Sequence, residues 1–154
     1  MNRVNARRKW VRRAFTNYNL NKSRLSQLKS DYANCEIPTT GSGGGGGGTH
    51  GNENGVEKSV LHYLAQREKL ERAVKSCERQ IALVDKTLHH FTIEEWAKGK
   101  RHKQYIENRF LRSMSYRRAA VECEISESTA GYLLEEIYTV SETIAEMEGY
   151  LQWA

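Results

Sequence analysis

The sequence predicts an all-α protein, in which a long coiled-coil-like helical hairpin or dimer helix is joined to a small C-terminal helix-turn-helix domain. Three observations point there. Apolar residues recur at seven-residue intervals on both sides of a glycine run, proline occurs once, at Pro38, and the last third breaks into short amphipathic stretches headed by Ser or Thr. With 154 residues, 38% of them hydrophobic, one core spanning the whole chain is not expected, and an extended helical body with a small globular end fits better. The expected units are a basic helical arm (1–33), a flexible linker (34–55), a coiled-coil helix (56–91) and the helix-turn-helix domain with an acidic last helix (92–154).

In the arm, Val4, Val11, Tyr18, Leu25 and Tyr32 form a heptad stripe that Phe15 and Leu28 widen. Asn17, Asn19 and Asn21 weaken its middle and predict a break there. The other face carries "ARRKWVRR", residues 6–13. Its cations Arg7, Arg8, Lys9, Arg12 and Arg13, with Trp10 among them, are the residue types that neutralise phosphates and stack on bases. Residues 39–55 contain six consecutive glycines, which lose too much backbone freedom to hold a helix, so the stretch reads as a tether. It lacks the Lys-Ser/Thr ending and preceding strand of a phosphate loop.

After the tether, Val60, Val74, Ile81 and Leu88 share one heptad position, with Arg67 the polar exception, and Tyr63, Leu70, Cys77, Val84 and Phe91 share the other. Such a helix has no core of its own. It is expected to bury the stripe against the arm folded back as an antiparallel hairpin, against a second copy through Val60, Val74, Ile81 and Leu88, or both. From Thr92 the pattern shortens. Thr92 with Glu95 reads as a capping box, and Gly99 as a break. A helix over 103–112 and a helix over 116–123 follow, and then a longer one capped by Ser126, with Ala130, Leu133, Leu134 and Ile137 inward.

The charge is uneven. The net is +5, yet residues 1–30 hold nine Lys/Arg and no acid, while residues 126–154 hold six Glu and no base. Two opposite ends of this kind suggest two partner surfaces. No apolar run near 18 residues and no apolar leader occurs, so neither a membrane span nor a signal peptide is expected. Three widely spaced cysteines argue for a reducing cytoplasm rather than a disulfide framework. No Cys-x-x-Cys or His-x-x-x-His spacing, nucleophile elbow or Walker lysine is present, so no enzyme, metal or cofactor is expected.

The stretch "YIENRFLRSMSYRRAAVECEISESTAGYLLEEIYTVSETIAE" resembles the region-four domain of bacterial sigma factors. The order of basic helix, glycine-rich spacer, long helix and sigma-like helix-turn-helix is similar to the RinA/ArpU-type late transcriptional regulators of phages of Gram-positive bacteria. The resemblance implies an activator of late genes (packaging, morphogenesis or lysis) that binds double-stranded DNA at a late promoter and touches host RNA polymerase in the bacterial cytoplasm. Carried over, Ser126, Glu127, Ser128, Thr129 and Tyr132 begin the recognition helix, and Arg117, Arg118, Lys103, Arg109 and Arg112 meet phosphates.

The sequence departs from the family in its acidity. Members carry Arg or Lys near Glu127, Gly131 and Leu133, whereas this helix carries Glu127, Glu135 and Glu136. Affinity is therefore expected from the arm and the basic cluster over 98–118, and Glu142, Glu146 and Glu148 are the candidate polymerase contact. Two rival readings use the same residues. One is a small terminase-like packaging subunit, which would form a ring. The other is a protein-interaction module with a degenerate helix-turn-helix.

Overall fold

The computed structural model describes residues 2–35, 53–93 and 97–151, and every element among them is helical. The first is α1 (Arg3–Thr16), headed by the Asn2 side chain, which accepts from the Val4 amide. A one-residue break at Asn17 separates it from α2 (Tyr18–Asn34). Helix α3 (Glu53–Ile93) runs 41 residues, about 60 Å at the α-helical rise. Then come α4 (Ala97–Ile106), a π-helical turn (Glu107–Leu111), α5 (Tyr116–Glu122) and α6 (Glu127–Met147). No described helix is long and apolar enough to cross a membrane.

Helices α2 and α3 form an antiparallel pair. Tyr18 donates to Asp85 at 2.6 Å, Asn21 to Gln80 at 2.8 Å, Arg67 to the Tyr32 hydroxyl at 3.2 Å, and Tyr63 to the Cys35 carbonyl at 2.6 Å. As the position on one helix rises, its partner's number falls. The two heptad positions of α3 are not equivalent. Tyr63, Cys77, Val84 and Phe91 are buried, together with Leu83 and Thr87, while Val60, Val74, Ile81 and Leu88 stay half-buried. The reason is geometric: α3 is covered by α2 along one side and by α1, α4 and α6 near its C-terminal half, so its inward face drifts off a strict two-position seam.

Several local expectations are corrected. Helix α3 already includes Glu53 to Gly55, which the sequence assigned to the linker. Thr92 does not cap a new helix, because α3 continues to Ile93 and the Thr92 hydroxyl donates back to the Leu88 carbonyl at 2.8 Å. Its capping-box partner Glu95 lies outside the described residues, as does the glycine run. Gly99 does not break α4. Glycine costs a helix about 1 kcal/mol relative to alanine, and burial of His102, Tyr105 and Ile106 three to seven residues on outweighs it. The helix expected over 103–112 is instead the end of α4 and the π turn.

One core joins the elements. Val11, Ala14 and Phe15 of α1, Leu83, Val84 and Phe91 of α3, Tyr105 and Ile106 of α4, and Ala130, Ile137 and Ala145 of α6 are buried in a single cluster. Phe15 sits at its centre, its ring 5.2 Å from Phe110 and 5.7 Å edge-on from Tyr138. One polar pair crosses this core: Thr87 and Ser141 hydroxyls lie 3.0 Å apart, each also within reach of a carbonyl of its own helix. Two protons must serve those three contacts, which binds α3 to α6 at one register.

Candidate nucleic-acid interface

Helices α5 and α6 are joined by a four-residue turn in which each end is closed by its own chemistry. Ser115 caps α5, its hydroxyl accepting from the Arg118 amide at 3.2 Å, and Ser126 caps α6, accepting from Thr129 at 3.1 Å. Glycine is absent from the turn, and Glu124 takes the left-handed conformation in its place, at φ 56°. The Ile125 amide then reaches the Ala120 carbonyl at 3.1 Å and the Glu124 amide reaches Val121 at 3.0 Å, closing the end of α5 as a Schellman motif. Ala119, Ala120 and Ala130 are fully buried, which lets the two helices meet closely. The Tyr116 hydroxyl donates to the Glu127 carbonyl and ties α5 to the first turn of α6.

The outer surface of this pair presents Glu127, Ser128 and Tyr132, with Thr129 and Gly131 half-buried. Tyr132 is 74% exposed and Val121 on α5 is 72% exposed. A side chain at Gly131 would meet the Tyr116 hydroxyl at 3.4 Å, ordinary contact, so the fold does not demand glycine there.

The acidity of α6 has a structural answer. Helix α1 lies antiparallel along it, and all six carboxylates of residues 126–154 lie at ion-pair distance from a basic side chain. Glu127 meets Arg117 of α5 at 3.2 Å. Glu135 meets Arg12 at 3.6 Å and Arg8 at 3.7 Å. Glu136 lies 2.8 Å from the ring nitrogen of His102 of α4, and the His102 ring is stacked on Phe91 with centroids 4.6 Å apart. Glu142 meets Arg8 at 2.9 Å, Glu146 meets Arg7 at 3.5 Å and Glu148 meets Lys86 of α3 at 2.7 Å. The arginines of α1 also lie over an aromatic ring, Arg8 5.8 Å and Arg12 5.7 Å from the centroid of Tyr138, whose hydroxyl burial pushes above its ordinary pKa.

These ion pairs bear on two sequence expectations. The basic arm and the acidic helix meet along one seam, where Arg7, Arg8 and Arg12 face Glu146, Glu142 and Glu135. Glu142, Glu146 and Glu148, read as a polymerase contact, lie at ion-pair distance from Arg8, Arg7 and Lys86. The physical reason is that the buried stripe Val11, Ala14 and Phe15 already docks α1 on α6, so opposite charges flanking that stripe meet across the seam. Arg109 is also redirected inward: its guanidinium donates to the Met114 carbonyl at 3.0 Å and lies over Phe110, clasping the turn before α5.

The cations that remain outward are fewer than the sequence suggested. Lys9 and Arg13 of α1 and Arg118 of α5 are exposed and have no ion-pair partner among the described residues. Lys9, Arg12 and Arg13 line a concavity of about 560 Å³ on α1. Lys103 lies 3.9 Å from Glu107, and Arg112 donates to the Asn108 side chain at 3.0 Å. Sequence reasoning missed His102 and Tyr116, which anchor two sides of α6. A lone histidine and a tyrosine at a helix start carry no pattern that announces such contacts.

No family model, curated protein or solved structure matches this chain. What the geometry supports is therefore read from the side chains themselves.

Proposed function

We propose that the chain is a DNA-binding transcriptional regulator that reads duplex DNA with the first turns of α6. The supporting observation is the pairing of Glu127, Glu135 and Glu136 with Arg117, Arg8/Arg12 and His102. The arginine pairs weaken the electrostatic objection to an acidic reading helix, because α1 and α5 bring cations to Glu135 and Glu127. Ser128 and Tyr132 are then left as outward polar and aromatic groups, suited to a base edge and a thymine methyl. Arg118, with Lys9 and Arg13, supplies phosphate contacts. Activation of phage late genes is the part of this reading that rests on the resemblance of residues 105–146 to sigma region four and of the chain's layout to RinA/ArpU-type regulators.

The test is selection from a random duplex library, followed by fluorescence anisotropy at two salt concentrations. The expected result is enrichment of one short sequence, bound more weakly as salt rises, with discrimination reduced in the Ser128→Ala/Tyr132→Ala variant. Binding of all duplexes alike, or none, overturns it. A second reading has one observation in its favour: Val121 and Tyr132 are both large, apolar or aromatic, and exposed on the same helix pair. A protein partner on that face would give no sequence enrichment and would be lost on Val121→Asp.

A further inference from the structure

We propose that a second site, about 30 Å from the first turns of α6 along a helix of 21 residues, binds a nucleotide-type ligand: a phosphate group carried next to a planar ring. The site is a pocket of about 220 Å³ lined by Trp10 of α1, Arg72, Lys75, Ser76 and Arg79 of α3, and Tyr150 beyond α6. Arg72, Ser76 and Arg79 stand at i, i+4 and i+7 on α3, so two guanidinium groups and a hydroxyl open to one side of the helix.

The charge of these residues differs from that of the cations facing α6. Elsewhere the cations facing α6 are matched to its acids, and Lys86, two turns further along α3, is held by Glu148. Lys75 is matched too, to Glu71 at 3.2 Å on its own helix. Among the described residues, Arg72 and Arg79 have no ion-pair partner, and no carboxylate lines the pocket. Two unneutralised arginines at a concave site repel each other unless an anion lies between them. Guanidinium is the side-chain group best shaped for bidentate bonds to phosphate oxygens.

The aromatic walls add the second half of the recognition. Trp10 is half-buried and packs against the core. Tyr150 is fixed by the turn that ends α6: Gly149 is at φ 68°, and the Tyr150 amide bonds the Ala145 carbonyl at 2.9 Å. Its ring also carries Lys86 at 5.4 Å. Positioned rings beside arginines fit a base stacked next to its own phosphate. A bare phosphate would use only the arginines. A bare ring would use only Trp10 and Tyr150.

The phosphate and ring could arrive as a free mononucleotide or as part of a single strand, and titration calorimetry on the full chain separates them. The probes are inorganic phosphate, adenosine, adenosine monophosphate, and oligothymidylate with and without a 5′-phosphate. Adenosine monophosphate is expected to bind at least tenfold tighter than phosphate or adenosine. The Arg72→Gln/Arg79→Gln variant, altered only at exposed positions, is expected to lose at least tenfold in that affinity with an unchanged circular dichroism spectrum. Tighter binding of oligothymidylate, lost in the same variant, assigns the site to a strand; the reverse order assigns it to a free nucleotide. Equal affinity in wild type and variant, or binding of none of the probes, overturns the site. Undiminished duplex binding by the variant keeps this outcome separate from that of the reading face on α6.

Discussion

Arg8 Nε lies 2.9 Å from Glu142 Oε1, yet that oxygen and Arg8 Nη1 are both buried without a hydrogen bond among the described residues. The two charges are close but poorly aligned, so the pair gains Coulomb attraction while leaving polar atoms short of partners. Removing one member should hurt more than removing both. Arg8→Met should destabilise the fold by about 1–3 kcal/mol, because Glu142 then loses its nearest cation. The double variant Arg8→Met/Glu142→Leu should recover most of that loss, as replaced buried pairs commonly do. Urea unfolding of the two singles and the double gives the answer; a double variant as unstable as the sum of the singles would contradict it.

Tyr105 is fully buried with its hydroxyl unpartnered among the described residues, and burial pushes its pKa up to about 12. The unfolded group titrates near pH 10. Between those values the folded chain holds a proton that the unfolded chain has released. The stability this contributes is complete below pH 10 and is lost as pH rises toward 12. Tyr105→Phe should therefore flatten the alkaline decline in melting temperature. At neutral pH it should be neutral or stabilising by about 1 kcal/mol, since an unsatisfied hydroxyl is removed.

Glu124 closes α5 in a conformation that costs a non-glycine residue about 1 kcal/mol. Glu124→Gly should raise stability by a few tenths to about 1 kcal/mol, part of the relief being offset by the freer unfolded chain. Glu124→Val should lower it by more, because a β-branched side chain tolerates that region poorly. Thermal melts of both variants test the pair of signs.

Gly131 separates folding from binding. Alanine there meets only ordinary contact with Tyr116, so Gly131→Ala should stabilise α6 by about 1 kcal/mol. If the reading face approaches DNA closely, the same variant should bind duplex more weakly although it melts later. Higher stability with undiminished binding would show that the glycine is merely tolerated.

Neutralising Lys9 and Arg13, which have no ion-pair partner among the described residues, should weaken duplex binding uniformly across sequences. The salt slope should fall by about 1 for each phosphate that is no longer neutralised. Neutralising Arg7 should act mainly on stability, because its charge is directed to Glu146. Anisotropy titrations over a salt series, run beside thermal melts, distinguish the two.

The sequence carried local information well. Ser126 as a cap, the break at Asn17 and the inward face of α6 follow from residue type and spacing alone, since each depends on neighbours within a turn or two. Thr92 and Gly99 misled for the same reason: their local preferences were read correctly, but packing of α3 and α4 into the core overrode them. The surroundings of α6 were illegible. Arg8 and Glu142 are 134 positions apart in sequence, and no periodicity connects them. A run of bases at one end and of acids at the other is equally compatible with two outward surfaces and with one inward seam. The docking of Phe15 against Phe110 and Tyr138 is what brings α1 and its arginines alongside α6.

The six carboxylates of residues 126–154 draw their partners from α1, α3, α4 and α5, not from α6 itself. The surface potential of α6 is therefore a report on the rest of the molecule. With α1 seated much of its charge is offset; with α1 displaced, Glu135, Glu142 and Glu146 lose their cations. If α6 meets DNA as proposed, a copy whose first helix is not seated would be repelled by charge alone. On that reading the contacts that complete the fold are the same ones that lower the repulsion.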